Sequence, residues 1–275
     1  MRIVVLASSI YSETACAMAA HLSELGYAPC GALALRTFNR DILLRKVGQW
    51  GARDVTRYAR EKLFPRRDNA QSRVRNAHLE PFLNRGARPF RNLREAAALY
   101  KFPVSFCANQ NAPASIERLQ AWSPDLIVFT GGNILRQELL NVPRLGVLNV
   151  HLGLLPEVRG MSSPEWSLLT NVPAGITIHY MDSGIDTGPI LQRYEFPHTN
   201  QCKSLSDLRH QLIAYGIEKC VEVVAALDRG AVSATPQPHS DEDPQFFVMH
   251  EWLQARAAER LANRCGPLAA GLLHE

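Results

Sequence analysis

In RIVVLASSIYSETACAMAAHLSELGYAPCGALAL, Arg2 to Leu35, two short apolar runs flank a segment of helical composition. Ser8, Ser9 or Ser12 can cap that helix and Gly26 can end it. Strand, helix and strand in such quick succession open a parallel α/β sheet, because a short parallel crossover is made by a helix. The alternation breaks off at Thr37 and resumes near Phe102. VSFC reads as a strand, APASIERLQAW as a helix, DLIVFT as a strand, ILRQELLN as a short helix and LGVLNV as a strand. AGITIHYM and GPILQRYEF are two further strands around the turn-rich DSGIDT, and LSDLRHQLIAYGIEKCVEVVAALDRG has the period and length of a helix packed on a sheet. The fold class is therefore α/β, a Rossmann-like, mostly parallel sheet with helices on both faces. Residues 1–235 read as the catalytic domain, interrupted by a basic helical insertion at 38–98, and 236–275 as a C-terminal tail with a helix.

At 275 residues and 46% hydrophobic content, the chain can bury a full core without disulfides or metal. Cys16, Cys30, Cys107, Cys202, Cys220 and Cys265 form no CxxC pair and no zinc spacing, so they read as thiols of a reducing compartment. No signal-peptide pattern and no long apolar span is present, which points to a cytoplasmic protein with no membrane partner. The net charge of +4 is uneven. Between Arg36 and Glu95 there are 14 Arg and 2 Lys against 6 acids, an excess of +10 that leaves −6 for the remainder. The Arg-rich stretch can recognise phosphate or nucleic acid through guanidinium forks. The reading preferred here is a solvated helical face whose arginines, Arg57 and Arg60 among them, snorkel or pair with acids, within the chain or across a homodimer. Trp50, Tyr58, Phe64, Phe82 and Phe90 read as a small local core and not as base-stacking platforms.

The chemistry is concentrated in LGVLNVHLGLLPEVRGMSSPEW, residues 145–166. Asn149 and His151 stand two apart, so in a strand both project from one face. Two polar groups there imply that the strand end opens onto a polar site, and the C-terminal ends of parallel strands are where such folds bind ligands. An amide beside an imidazole can hold an oxyanion. Asp182 and Asp186 lie in a Gly-rich turn between two strands, where a carboxylate can hold the imidazole charged or pass a proton. Taken singly, the first pair also reads as a satisfied core pair and the second as a solvated turn.

Together, NVHLGLLPEVRGMSSPEW and DSGIDTGPIL resemble the signature of the folate-dependent formyltransferases, a family that includes glycinamide ribonucleotide, methionyl-tRNA and sugar-nucleotide enzymes and formyltetrahydrofolate hydrolase. The resemblance spans roughly residues 102–196 and touches the first strand and helix loosely. It implies the formyltransferase catalytic fold, with Asn149, His151 and Asp186 as the catalytic set. It also implies a pteridine pocket lined by Gly132, Asn133, Ile134 and Leu135 and by the turn that holds Asp182 and Gly184. The implied reaction is attack by an amine on the formyl carbon of 10-formyltetrahydrofolate. Asn149 and a protonated His151 would stabilise the oxyanion, Asp186 would keep the imidazole charged, and no metal is needed.

The methionyl-tRNA members continue into a C-terminal barrel for which this chain has no room, and ASSIYSE lacks the phosphate-loop glycine of the purine enzyme. The acceptor expected is therefore a small-molecule amine, on an amino sugar nucleotide or in specialised metabolism. Ser8, Ser9 and Tyr11 either contact that acceptor or serve the helix cap, and Arg159 either contacts a ligand or anchors its loop. His179 reads as a residue near the site or in the core. A hydrolase, or a nucleic-acid-binding protein on a degenerate core, are the alternatives.

Overall fold

The computed structural model describes residues 1–36, 70–84, 89–238 and 244–265. Five strands run parallel: β1 (Ile3–Ala7), β2 (Gly31–Leu35), β3 (Val104–Cys107), β4 (Leu126–Phe129) and β5 (Gly146–His151). A short pair joins β6 (Arg159–Gly160) in parallel to β9 (Gln245–Phe246). Strands β7 (Gly175–Tyr180) and β8 (Ile190–Glu195) extend the main sheet antiparallel, in the order β3-β2-β1-β4-β5-β7-β8. This is the mostly parallel α/β sheet read from the sequence. The chain moves outward from β1 to β2 and β3, then returns to β4 on the other side of β1. That reversal opens a crevice at the C-terminal ends of β1 and β4.

Helices α1 (Glu13–Glu24), α2 (Ala70–Leu83), α3 (Leu93–Tyr100), α4 (Pro113–Trp122), α5 (Gln137–Leu140), α6 (Ser163–Thr170), α7 (Leu205–Asp228) and α8 (Glu251–Cys265) complete the described architecture. Alternation along the strands divides the core. Ile3, Val5, Leu126, Val128 and Leu148 pack with α1 and α7 on one face. Val4, Leu6, Leu33, Ile127 and Val147 pack with Leu119 and Leu139 of α4 and α5 on the other. A third cluster joins Leu168 of α6, Leu208 and Leu212 of α7, and Ala257 and Leu261 of α8. Helix α1 is capped by Ser12, whose side chain accepts from the Ala15 N–H, and Gly26 follows its end at φ 86°. Burial pushes the Cys16 and Cys220 thiols up to about 12, so neither is a ready nucleophile.

Of the segment read as an insertion, residues 38–69 and 85–88 lie outside the described residues, and with them Trp50, Arg57, Tyr58, Arg60 and Phe64. The described part is integrated with the main core. Leu79, Leu83, Leu93 and Ala97 are buried in the same cluster as β1 and α1, and Phe82 and Phe90 pack against it. Phe82 also meets His21 edge-on with ring centroids 5.0 Å apart. A link to α7 is made where His78 Nε2 lies 2.8 Å from Asp207 Oδ1.

Leu126 is fully buried at the start of β4, far along the strand from its C-terminal end. Leu126→Ala should cost about 2–5 kcal/mol, the range for deleting a buried aliphatic side chain. A urea midpoint unchanged by the substitution would contradict this account of the core.

Candidate active site

Strand β5 carries Asn149 and His151 out of the core at its C-terminal end, with Asn149 half-buried and His151 6% exposed. Antiparallel register sets Asn149 opposite His179 of β7 and His151 opposite Thr177. On the other side Asn149 pairs with Phe129, so the segment after β4 begins beside it. The turn between β7 and β8 returns Asp186 beneath this strand end. Asp186 has left-handed backbone, with φ 54°, a region Asp tolerates better than most residues.

Both oxygens of the Asp186 carboxylate are used. Oδ1 accepts from Asn149 Nδ2 at 3.4 Å and lies 3.6 Å from His179 Nε2. Oδ2 accepts from the Gly160 N–H at 3.2 Å and lies 3.3 Å from His151 Nδ1. Burial alone would raise the Asp186 carboxyl, but the facing His179 and His151 rings, when they carry a proton on the nitrogen turned to it, and the Gly160 N–H outweigh burial and hold it below the usual carboxylate range.

The other ring nitrogens define the tautomers. His151 Nε2–H donates to the Val158 carbonyl at 2.7 Å, and His179 Nδ1–H donates to the Tyr180 carbonyl at 2.8 Å. His179 Nε2 is then a lone-pair acceptor for Asn149 Nδ2 at 3.1 Å. The neutral His151 ring turns its Nδ1 lone pair toward Asp186. A proton placed on Nδ1 makes that contact a charge-assisted hydrogen bond. Burial pushes His151 below the ordinary imidazole range, against the opposing pull of Asp186 and the Val158 carbonyl. The sequence reading had Asp186 keeping the ring charged; in the fold, burial works the other way. The chemical capacity is that of a buried base whose conjugate acid has a fixed partner, beside an amide donor.

Gly160 is a backbone constraint at the site. Its φ is 103°, and a Cβ at this position would overlap the Phe246 carbonyl of β9. That carbonyl accepts from the Met161 N–H at 2.9 Å. Arg159 is buried in the same β6–β9 pair, which fits the loop-anchor reading.

The other sequence-derived candidates fall around this centre. Gly131 and Gly132, after β4, adopt φ of 122° and 153°. Gly132 has no room for a Cβ because the buried Gln110 side chain fills that space. Gln110 Oε1 accepts from the Asn133 N–H at 2.9 Å, and Asn133 Oδ1 accepts from the Gln110 N–H at 3.0 Å. Leu135 is buried and Ile134 is exposed. Asp182 Oδ1 accepts from the Gly184 N–H at 3.0 Å and from the Thr187 hydroxyl at 2.7 Å, so this carboxylate organises its own turn. At the end of β1, Ser12 is the helix cap. Ser8 lies beside Gly131, Ser9 accepts the Ser12 N–H through its carbonyl, and Tyr11 is exposed. The sequence reading singled out neither Gln237, whose Nε2 donates to the carbonyls of Asp186 and Gly188, nor Gln110. Isolated glutamines have no spacing signal.

Among the described residues, no group of three or more His, Cys, Asp and Glu is placed to hold a metal, and no helix is long and apolar enough to cross a membrane. The family profile described as formyl transferase matches residues 86–224. The methionyl-tRNA formyltransferase of Koribacter versatilis is 32% identical over 181 residues, covering 64% of this chain and 58% of that protein. That of Syntrophus aciditrophicus is 37% identical over 147 residues, covering 53% and 47%. The chain thus spans about half the length of the curated relatives it matches. Glycinamide ribonucleotide transformylase 1 from Symbiobacterium toebii superposes with a TM-score of 0.55 at 18% identity, over 84% of this chain and 89% of that one. The N-formyltransferase from Helicobacter canadensis, solved with folinic acid and dTDP-3-aminofucose, gives 0.55 at 14% identity, over 95% and 80%. At these identities the likeness is one of fold.

Both shifts have the same sign for stability. With His151 held below the imidazole range, the unfolded chain takes up a proton that the folded one refuses as pH falls through that range. With Asp186 held below the carboxylate range, further stability is lost as pH falls through its folded value. In Asp186→Asn, burial of His151 is opposed less, so its imidazole should titrate at lower pH than in the unaltered protein. An NMR titration of the His151 ring that stays in place or moves upward would refute the pairing.

Proposed function

The chain belongs to the formyl transferase family, and on that premise we propose that it transfers a formyl group from 10-formyltetrahydrofolate to an amine through Asn149, His151 and Asp186. The observation that carries this reading is the convergence of Asn149, His151 and the Gly160 N–H on one partly buried carboxylate at a strand end. Folate supplies an activated formyl group on a nitrogen that leaves once protonated. The segment 131–135 and the turn at 182–188 flank the site with backbone polar groups and with the exposed apolar side chains of Ile134 and Ile185. Such walls suit a flat ring with a polar edge, and Gly132, Asn133, Ile134, Leu135, Asp182 and Gly184 are proposed to form that pocket.

The residues then divide the work. Asn149 turns the N–H of its longer bond, the one to Asp186, to the formyl oxygen and stabilises charge developing there. His151 Nδ1 takes the proton released by the attacking amine, and the Asp186 carboxylate stabilises the resulting imidazolium. The same proton is returned to the departing folate nitrogen. His179 orients Asn149. Ser8, Ser9 and Tyr11 are proposed on the acceptor side.

For the acceptor, we propose a small-molecule amine such as an amino sugar nucleotide. The names of the curated relatives favour a second reading, the amine of methionyl-tRNA. An assay of tetrahydrofolate release against a panel of amino sugar nucleotides, amino-acid amines and methionyl-tRNA separates them. Formate release without acceptor would favour a hydrolase instead. His151→Ala should lower transfer by about 10²- to 10⁴-fold, and Asn149→Ala by about 10²- to 10³-fold. Turnover within a few-fold of the unaltered protein in either variant would refute the assigned roles.

A further inference from the structure

Asp186 can meet His151 and Gly160 only if its own backbone is fixed, and the turn that carries it is not fixed by strand pairing. Between β7 and β8 the chain leaves the ladder after Tyr180, and the Tyr180 N–H and Pro189 carbonyl close the base of the turn at 2.9 Å. Within the turn, Asp182 ties the first half through Gly184 and Thr187. The second half contains the left-handed Asp186 and turns the carbonyls of Asp186 and Gly188 to one side. Left without donors, these carbonyls would favour relaxation toward ordinary backbone.

Among the described residues they have one side-chain donor between them. Gln237 Nε2 donates to the Asp186 carbonyl at 3.0 Å and to the Gly188 carbonyl at 2.6 Å, so the two hydrogens of one amide are spent on two carbonyls. Gln237 is itself held in place two residues earlier, where Thr235 and Ile190 exchange both backbone bonds at 2.8 Å. It lies beyond the matched segment 86–224, in the stretch after α7.

We propose that Gln237 is a positioning residue for the candidate site: by clamping the carbonyls of Asp186 and Gly188, it holds the carboxylate where His151, Asn149 and Gly160 meet it. The role rests on the formyl-transfer reading for its consequence in turnover, but not for its geometry. Met at 237 preserves the side-chain length and removes both donors. Glu at 237 preserves the shape and, while ionised, sets a carboxylate against two carbonyls.

The test uses the full chain. In Gln237→Met, the NMR titration of the His151 ring, which faces Asp186 and His179, should move to lower pH, in the direction of Asp186→Asn. The kcat for formyl transfer should fall about 10- to 100-fold, the scale of a displaced catalytic group, and the low-pH limb of kcat/KM should shift to lower pH. In Gln237→Glu, kcat relative to the unaltered protein should recover as the introduced carboxyl is protonated and regains one donor. A folded Gln237→Met with unchanged His151 titration and kcat would overturn the proposal. If that variant does not fold, a Gln237→Glu whose relative kcat and His151 titration match the unaltered protein at every pH would do so equally. A displaced titration in a chain that transfers formyl to no acceptor would uphold the clamp and refute the formyl-transfer reading.

Discussion

A carboxylate drawn mostly out of water needs partners for its oxygens, and most of the site follows from how Asp186 finds them. Its oxygens draw in the end of β5 through Asn149 and His151, and the loop after it through Gly160. Removing a charge from water is costly, and these partners together bring the group below the usual carboxylate range in spite of burial. The same carboxylate decides what His151 can do. Burial favours the neutral ring, whereas Asp186 waits on the far side of Nδ1 to stabilise the charged one. A base that is neutral at rest and has a fixed counterion when protonated is suited to accept a proton and give it back.

The sheet explains why this arrangement is available. Five parallel strands end on one side, which gives a crevice at the reversal between β1 and β4. Strand β7 then runs away from that side, from Thr177 opposite His151 to Tyr180 opposite Leu148, and the turn after it folds back along β5 to bring Asp186 to Asn149 and His151. Because β7 runs against β5, it delivers His179 beside Asn149 and leaves its own turn, with Asp186, below the strand end. The chain after α7 closes the remaining gaps, with Gln237 against the turn and β9 against Gly160.

Much of this architecture was legible in one dimension. The apolar runs at β1, β2, β4 and β5, the Ser12 cap with Gly26 at the end of α1, and the long period of α7 are local signals, and each became the element it implied. Asn149 and His151 were legible as a pair because strand geometry forces residues two apart onto one face. Asp186 was legible through its resemblance and its turn. The 38–98 segment reads as an amphipathic basic insertion on the sheet domain, and among its described residues Leu79, Leu83 and Leu93 are buried in the principal core.

Periodicity, capping and alternation act within a few residues, and they set the elements, the mostly parallel sheet and the polar residues at the end of β5. The partners come from long-range packing: His179 opposite Asn149, the Val158 carbonyl on His151, the Gly160 N–H on Asp186, and Gln237 on the turn. Strand register and long-range packing bring these groups together from up to 88 positions apart, as Asn149 and Gln237 show. No local pattern encodes which buried donor will meet which acceptor, because that pairing is settled by the need to satisfy every polar group once the core has closed.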